Sequence, residues 1–458
     1  MNHDTPTLLR PEEARALAAR AFAYARADGT EITLSRQSTA LTRFANNGIH
    51  QNVAEISTQL SVRSLIGGRM ARASTNRLDD TAIANVVARA EELARLQEPD
   101  SEVLPLPEAQ NYPAVARYVE TTAQADAAWR ARQVEAMVEV AKAEKLIAAG
   151  IAANHAQSYA ILNSRGLEAF YQESGVEYSV TMTGDSSSGW AKGSAVDMAA
   201  LDYRGGAERA ARKARASADP GEIPPGLYTV VLEPAAVLDL LGFLIWDFSG
   251  LAVLDQRSCL TGRVGEKLFG DNISIHDDAG HPLQTGAPFD GEGMPRRQLV
   301  LVDHGTVQEL AFARTSAARM RREHPNSAAQ PTGHGFPLPN EYGEAPMNVV
   351  MRGGQTSEAG LLEGIERGVL VTRLWYIREV EPFEKLLTGM TRDGTFLIEN
   401  GRITRGLRNF RFNQSVIEML RQVEAMGPAV RASGEESFDM VVPALRVKQF
   451  NFTEVTRF

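Results

Sequence analysis

The chain has 458 residues, 43% hydrophobic and 23% charged, which exceeds one simple core and predicts a globular protein of two or three domains. A formal net charge of −9 excludes a surface built to track nucleic-acid phosphates, which needs massed Lys and Arg. One cysteine, Cys259, excludes an internal disulfide and fits a reducing compartment, so a cytoplasmic location is expected. The start of the chain is polar and then amphipathic, without the apolar core of a secretion signal. The longest apolar run, residues 240–246, is far shorter than the ~20 residues a membrane-spanning helix needs.

Residues 11–27 open with Pro, carry acidic side chains in their first turn and are rich in Ala, which predicts a helix. Residues 31–35 and 42–68 are rich in Thr, Val, Ile and Ser, with turn signals at Asn46-Asn47-Gly48 and Gly67-Gly68, and read as a meander of strands. Asp79 can cap a second helix, in which Ile83, Val86, Val87, Ala90 and Leu93 form one apolar stripe. After a Pro-rich linker at 99–113, a long helix is expected at 123–149, then strands over 151–198 with turns at Arg165-Gly166 and 185–189, then a helix over 203–216. Helix, meander, helix occurs twice, which points to a structural duplication without a residue-level repeat.

Beyond Pro224-Pro225-Gly226 the pattern gives a strand at 227–232, an apolar helix reaching about Phe248, and short strands separated by Gly-containing turns. Residues 335–346 hold three prolines and read as a long loop. Residues 369–413 contain a β-branched run and the turn Asn400-Gly401 between alternating segments, a strong hairpin signal. The expected fold class is α+β: duplicated helix–β-meander–helix units in the N-terminal half and a β-rich, barrel-like C-terminal domain. The expected domains are 1–98, 114–220 and 226–458.

Several residue groups invite chemistry. His276-Asp277-Asp278-Ala279-Gly280-His281 offers two imidazoles and two carboxylates to a divalent ion, although Asp-Asp-Ala-Gly is equally turn chemistry and that reading is preferred. Cys259 has no local base to activate it and reads as a small buried residue. Residues 184–189 miss the G-x-S-x-G spacing by one and read as a polar loop. The arginines at 402, 405, 408 and 411 read as the exposed side of a strand rather than a nucleic-acid contact. Asp290, Glu292, Arg296 and Arg297 lie in PFDGEGMPRR, a Gly- and Pro-shaped loop that either presents charges to a peptide or partner, or closes a barrel by salt bridges. His334 sits between glycines, in a loop that could line the same cleft or simply be exposed.

Four segments in this order carry a family resemblance. They are LTRFANNGIHQNVAEISTQLSVRSLIGGRMARASTNRLDD (41–80), YAILNSRGLEAFYQESG (159–175), APFDGEGMPRRQLVLVDHGTVQELAFARTSAAR (287–319) and the stretch 369–413. Together they resemble the TldD/PmbA family, peptidase-related proteins once called modulators of DNA gyrase. The TldD branch of that family is known by an HExxxH zinc motif on a helix, with a cysteine further on as third ligand. Here no His is followed by Glu, none of the eight histidines pairs at helical spacing, and no cysteine follows Cys259. Matching back from Thr261-Gly262 puts Leu241 and Trp246 near the expected histidine positions.

The resemblance therefore implies the PmbA/TldE branch, a subunit without catalytic residues or a zinc of its own. Such a subunit pairs with a TldD-like zinc metallopeptidase and shapes a chamber for extended, unfolded or modified peptides. Asp290, Glu292, Arg296 and His334 are the candidate substrate- or partner-binding residues. Two alternatives stand beside this reading. One is a stand-alone hydrolase with a rebuilt site acting on an amide or peptide bond. The other is a non-enzymatic homodimeric binding protein, should no zinc-bearing partner exist. Direct nucleic-acid and membrane contacts are not expected.

Overall fold

The computed structural model describes residues 8–456; His3 and the polar start of the chain lie outside the described residues. Helix α1 (Pro11–Tyr24) precedes strands β1 (Gly29–Ala45), β2 (Gly48–Ile66) and β3 (Arg69–Thr75), and α2 (Asp80–Leu96) follows. The unit then recurs as α3 (Glu120–Ala123), α4 (Ala127–Ala143), β4 (Ile147–Asn163), β5 (Glu168–Thr183), β6 (Ser188–Ala195) and α5 (Tyr203–Ala216). The two meanders are one six-stranded sheet in the order β3-β2-β1-β4-β5-β6, joined by antiparallel pairing of β1 with β4 from Glu31↔Asn163 to Phe44↔Gly150.

Alternation along the strands gives this sheet two different faces. Ile32, Leu34, Leu60 and Val62 pack with Ala14 and Ala18 of α1 and Ile83 and Val87 of α2. Tyr178, Val180 and Met182 pack on α4 and α5 in the same way. The opposite face carries polar residues and meets the C-terminal half, where Tyr159 stacks on Phe289. The expected cap forms, with Asp79 accepting from Ala82 N–H, and Asp126 likewise accepts from Trp129 N–H, each meeting an orphan donor of a first turn.

The long helix expected over 123–149 ends at Ala143 instead, and Ile147 already begins β4. Lys145 turns the chain at φ 56°, after which Ala148 and Ala149 pair with Met182 and Thr181 of β5, and the Ala148 carbonyl accepts from Asn47 N–H. Helix propensity of Ala is a fraction of a kcal/mol per residue, which strand pairing readily overrides. Both expected hairpin turns form, with Asn46 and Asn47 at φ 51° and 59° and Asn400 and Gly401 at 49° and 75°.

In the C-terminal half, strand β7 (Gly226–Leu232) and the strands Arg367–Glu381, Leu386–Glu399, Phe410–Ser415 and Leu445–Val455 close into a five-stranded barrel. Beside it a six-stranded sheet of short strands begins at Thr306–Val307 and ends at Val430–Ala432. Helix α6 (Pro234–Ile245) lies in the common core with Val237, Leu241 and Leu244 fully buried. Among the described residues no helix is long and apolar enough to cross a membrane.

Candidate functional site

The helix that the family resemblance marks for zinc is α6 with the 3-10 turn Trp246–Phe248 after it. Leu241, at the first expected histidine position, is fully buried among apolar neighbours. Gly242, where the motif's Glu would stand, faces Ser437, and a Cβ on it would lie 2.0 Å from Ser437 Oγ. Trp246, at the second histidine position, is 44% exposed and packs on Phe336 and Tyr342 with ring centroids at 6.0 and 6.4 Å. Neither Leu nor Trp can ligate zinc, and Ser437 occupies the room a glutamate base would need. Among the described residues no three His, Cys, Asp or Glu side chains are grouped to hold a metal ion. The zinc centre does not fit this chain.

Around that helix lies a set of buried charges that sequence reasoning missed. Asp239 accepts from the N–H groups of Glu436 and Ser437, at 3.0 and 3.1 Å, and ties the 434–437 segment against α6. Burial pushes its carboxyl up to about 7, against the lowering pull of the Glu436 and Glu435 N–H groups. Asp247 accepts from Cys259 N–H at 2.7 Å and pairs with Lys385 Nζ at 2.5 Å, while Lys385 also reaches Glu379 at 2.6 Å. Glu344 accepts from the Ser249 hydroxyl and Leu251 N–H at the start of the helix Gly250–Leu254, and from Ala313 N–H and the Ser316 hydroxyl at the start of Arg314–Glu323. One carboxylate thus serves the unpaired donors of two helix N-termini. A charged residue inside so apolar a helix as α6 was the signal available for Asp239.

The residues singled out from sequence are brought together in part. His334 is buried, with Nε2 3.0 Å from Asp277 Oδ1 and Nδ1 3.0 Å from Thr332 Oγ1. Burial works to raise the Asp277 carboxyl, but His334 beside it holds it below the usual carboxylate range. Asp290 accepts from the N–H groups of Glu292, Met294 and Gly335, and Glu292 accepts from Arg314 N–H at 2.9 Å. Gly335 has both carboxylates against it, and an added Cβ there would meet Glu292 Oε1 at 2.8 Å and Asp290 Oδ2 at 3.2 Å. Arg296 donates from Nε to the Phe289 carbonyl, whereas Arg297 turns outward to Glu309. Asp290, Glu292 and His334 therefore face inward, each no more than 3% exposed.

The acidic segment at 276–281 separates as strand alternation dictates. Asp277 points into the core toward His334, while Asp278 accepts from Gly280 N–H and His281 from Leu283 N–H in a turn. Cys259 is buried, and burial together with Asp247 raises its thiol, which favours the protonated form over the thiolate a nucleophile needs. A crevice of about 920 Å³ lies between residues 184–188 and the barrel, lined by Arg373, Asp393 and Asn409 among others. Ser186 bonds Asp219 there and Ser188 bonds Asp393, and no histidine lines the crevice to make either serine a nucleophile.

The Asp290–Glu292 pair has a pH signature. Burial, and then the neighbouring Asp290, push Glu292 up to about 7, and burial raises Asp290. A carboxyl raised in the folded state stabilises the fold below about pH 4.5, and that contribution is lost as pH rises through 7. Glu292→Gln keeps the acceptor for Arg314 N–H and removes the ionisation. It should flatten the fall in melting temperature between pH 5 and 8, by the equivalent of roughly 2–3 kcal/mol. Thermal melts of both proteins across that range check this, and an unchanged slope would refute it.

Comparisons with known proteins now bear on this geometry. Residues 225–454 match the family model described as the PmbA/TldA metallopeptidase C-terminal domain, and residues 30–94 match PmbA/TldA metallopeptidase domain 1. TldE from Thermococcus kodakarensis superimposes with a TM-score of 0.86 at 21% identity, over 96% of this chain and 99% of that one. A metalloprotease of Methanothermobacter thermautotrophicus is 26% identical over 249 residues, 51% of this chain and 49% of the relative. A metalloprotease of Methanocaldococcus jannaschii is 25% identical over 212 residues, 44% of each. The chain thus spans half or less of the length of these curated relatives.

Proposed function

Because this chain belongs to the PmbA/TldD metallopeptidase family, we propose that it is the subunit without a zinc centre in a TldD/TldE-like heterodimeric peptidase. The observation that carries this reading is the α6 segment. Leu241 is sealed in the core, Gly242 is closed against Ser437, and Trp246 stands where a ligand would be required. The likeness in fold to TldE supports the same assignment.

In this reading the bond is cleaved at the partner's zinc, and this chain binds and shapes. Trp246, Phe336 and Tyr342 form an aromatic surface with Tyr342 72% exposed, suited to apolar side chains of an unfolded peptide. Asp290, Glu292 and His334 act from beneath, holding the loops at 290–296 and 332–344 in one conformation through N–H donors and an imidazole. Their role is positioning, since none is open to a substrate.

The experiment is zinc analysis and peptide hydrolysis, with the chain alone and with a zinc-motif homologue from the same genome. Alone, it should carry well below about a tenth of an equivalent of zinc and leave an unfolded peptide intact. Together the two should form a 1:1 complex that hydrolyses the peptide. A full equivalent of zinc surviving dialysis in the isolated chain would overturn the assignment, as would chelator-sensitive hydrolysis by it.

A further inference from the structure

Strand β2 is much longer than its outer neighbour. It pairs with β1 along its whole length, from Ala45↔Gly48 to Gly29↔Leu65, whereas β3 covers only Leu60 to Ile66. Residues 48–59 therefore form an open sheet edge, with no described strand on the side away from β1. An open edge presents a row of main-chain N–H and C=O groups, and proteins guard such edges with Lys, Pro, bulges or covering elements. This edge reads Gly-Ile-His-Gln-Asn-Val-Ala-Glu-Ile-Ser-Thr-Gln, with Glu55 as its one acidic residue and no Lys, Arg or Pro. The irregularity in the β1–β2 ladder falls at Arg43/Phe44, near the hairpin end, so most of the edge is regular. Ile49, Val53 and Ile56 are 48%, 40% and 56% exposed, on both faces of the strand. The edge is long, largely regular and nearly uncharged, with three exposed apolar side chains along it, as on a surface that is covered in the assembled protein.

The occupant is indicated by how this fold already joins its parts. The two meanders meet by antiparallel addition of β4 to β1 along fourteen residue pairs. The family's domain 1 model matches residues 30–94 and so contains the whole of β2 and β3 and all but the first residue of β1. A homologous subunit that has this domain carries a corresponding β2. With few charges on this edge, antiparallel pairing of two such strands meets little repulsion, and apolar side chains on both faces would close over the joint.

We infer that residues 48–59 of β2 are where this chain joins the zinc-bearing subunit, by antiparallel pairing with that subunit's own β2. The two N-terminal sheets then become one continuous sheet. This rests on the heterodimer assignment above, and the experiment separates the two. Hydrogen exchange of the amides in 48–59 is followed in the full chain alone and after mixing with the zinc-motif homologue. In parallel, the affinity of the double variant Val53→Lys, Ile56→Lys is measured. Both positions are exposed, so the melting temperature of the isolated variant should stay near that of the parent.

The expected result is slowed exchange across 48–59 in the complex and at least about tenfold weaker association of the lysine variant. If the unaltered chain fails to bind any zinc-motif homologue, the heterodimer assignment itself fails. If it binds while exchange at 48–59 and the affinity of the variant are unchanged, the assignment stands and the edge inference is overturned. Two other results also overturn it: a dimer of this chain alone that the lysines dissolve, and protection of 48–59 by a substrate peptide without the partner. They give the edge to a second copy and to the substrate, respectively.

Discussion

Lys385→Met should lower the stability of the C-terminal half by ~3–5 kcal/mol, seen as a fall of roughly 10 °C in its melting transition. Lys385 is 5% exposed and joins Asp247, 4% exposed, to Glu379. Methionine fills similar volume but leaves Asp247 as a buried charge without a cation. Asp247 also accepts from Cys259 N–H, and its own carbonyl accepts from Ser258, so it anchors the turn that carries Trp246. Burial already raises Asp247 in the parent, with Lys385 working against it. Removing the lysine leaves that rise opposed only through Cys259, so the deficit should shrink as pH falls and Asp247 takes up a proton. The double variant Asp247→Asn, Lys385→Met should recover much of the loss. A single variant melting within about 2 °C of the parent at neutral pH would show that the pair does not hold this segment.

Arg63→Met is expected to cost a similar ~3–5 kcal/mol in the N-terminal sheet. Glu31 is fully buried on the face turned toward the C-terminal half, and it accepts from Arg63 at 3.1 and 2.6 Å and from Arg72 at 2.7 Å. Burial acts to raise Glu31, but the two guanidiniums outweigh it and hold its carboxyl below the usual range. A carboxyl lowered in the folded state contributes stability above about pH 4.5 and loses it as pH falls through the folded value. The gap between parent and variant should therefore be widest at neutral pH and narrow in acid. Arg72 also donates to the Leu338 carbonyl at 2.6 Å, so this triad ties the sheet to the loop whose Phe336 packs on Trp246. Arg72→Met should cost less stability, since Arg63 still pairs with Glu31, but should expose residues 336–342 to proteolysis. Equal cleavage of parent and variant in that loop would refute the link.

Local signals carried much of the fold because they act locally. Asn46-Asn47-Gly48 and Asn400-Gly401 specify hairpins through positive φ, and Asp79 specifies a helix start through one side-chain oxygen. The expected helix runs past Ala143 because alanines suit a helix and a sheet interior alike, and only pairing of residues 147–149 with β5 decides between them. The site was legible as a set of residues but not as a geometry. PFDGEGMPRR and His334 stood out by composition, yet whether Asp290 and Glu292 face solvent or each other depends on Gly335 and Arg314, far along the chain. Asp247 and Glu344 gave no sign at all, since the partners that hold their carboxylates lie between 12 and 138 residues away, and Lys385 has only Glu379 near it in sequence, six residues off.

By itself, the sequence determined the alternation of helices and strands, the hairpin turns, the family resemblance and the missing HExxxH side chains, because each is a property of neighbouring residues. The tertiary structure alone decided three things. Two meanders form one sheet, because β1 and β4 each supply the edge the other lacks. Gly242 is closed by Ser437, so room for a base is absent as well as the residue. The edge at 48–59 is open, because the strand that should cover it stops at Thr75 opposite Leu60. All three turn on which surfaces meet, and that is fixed by packing between distant segments.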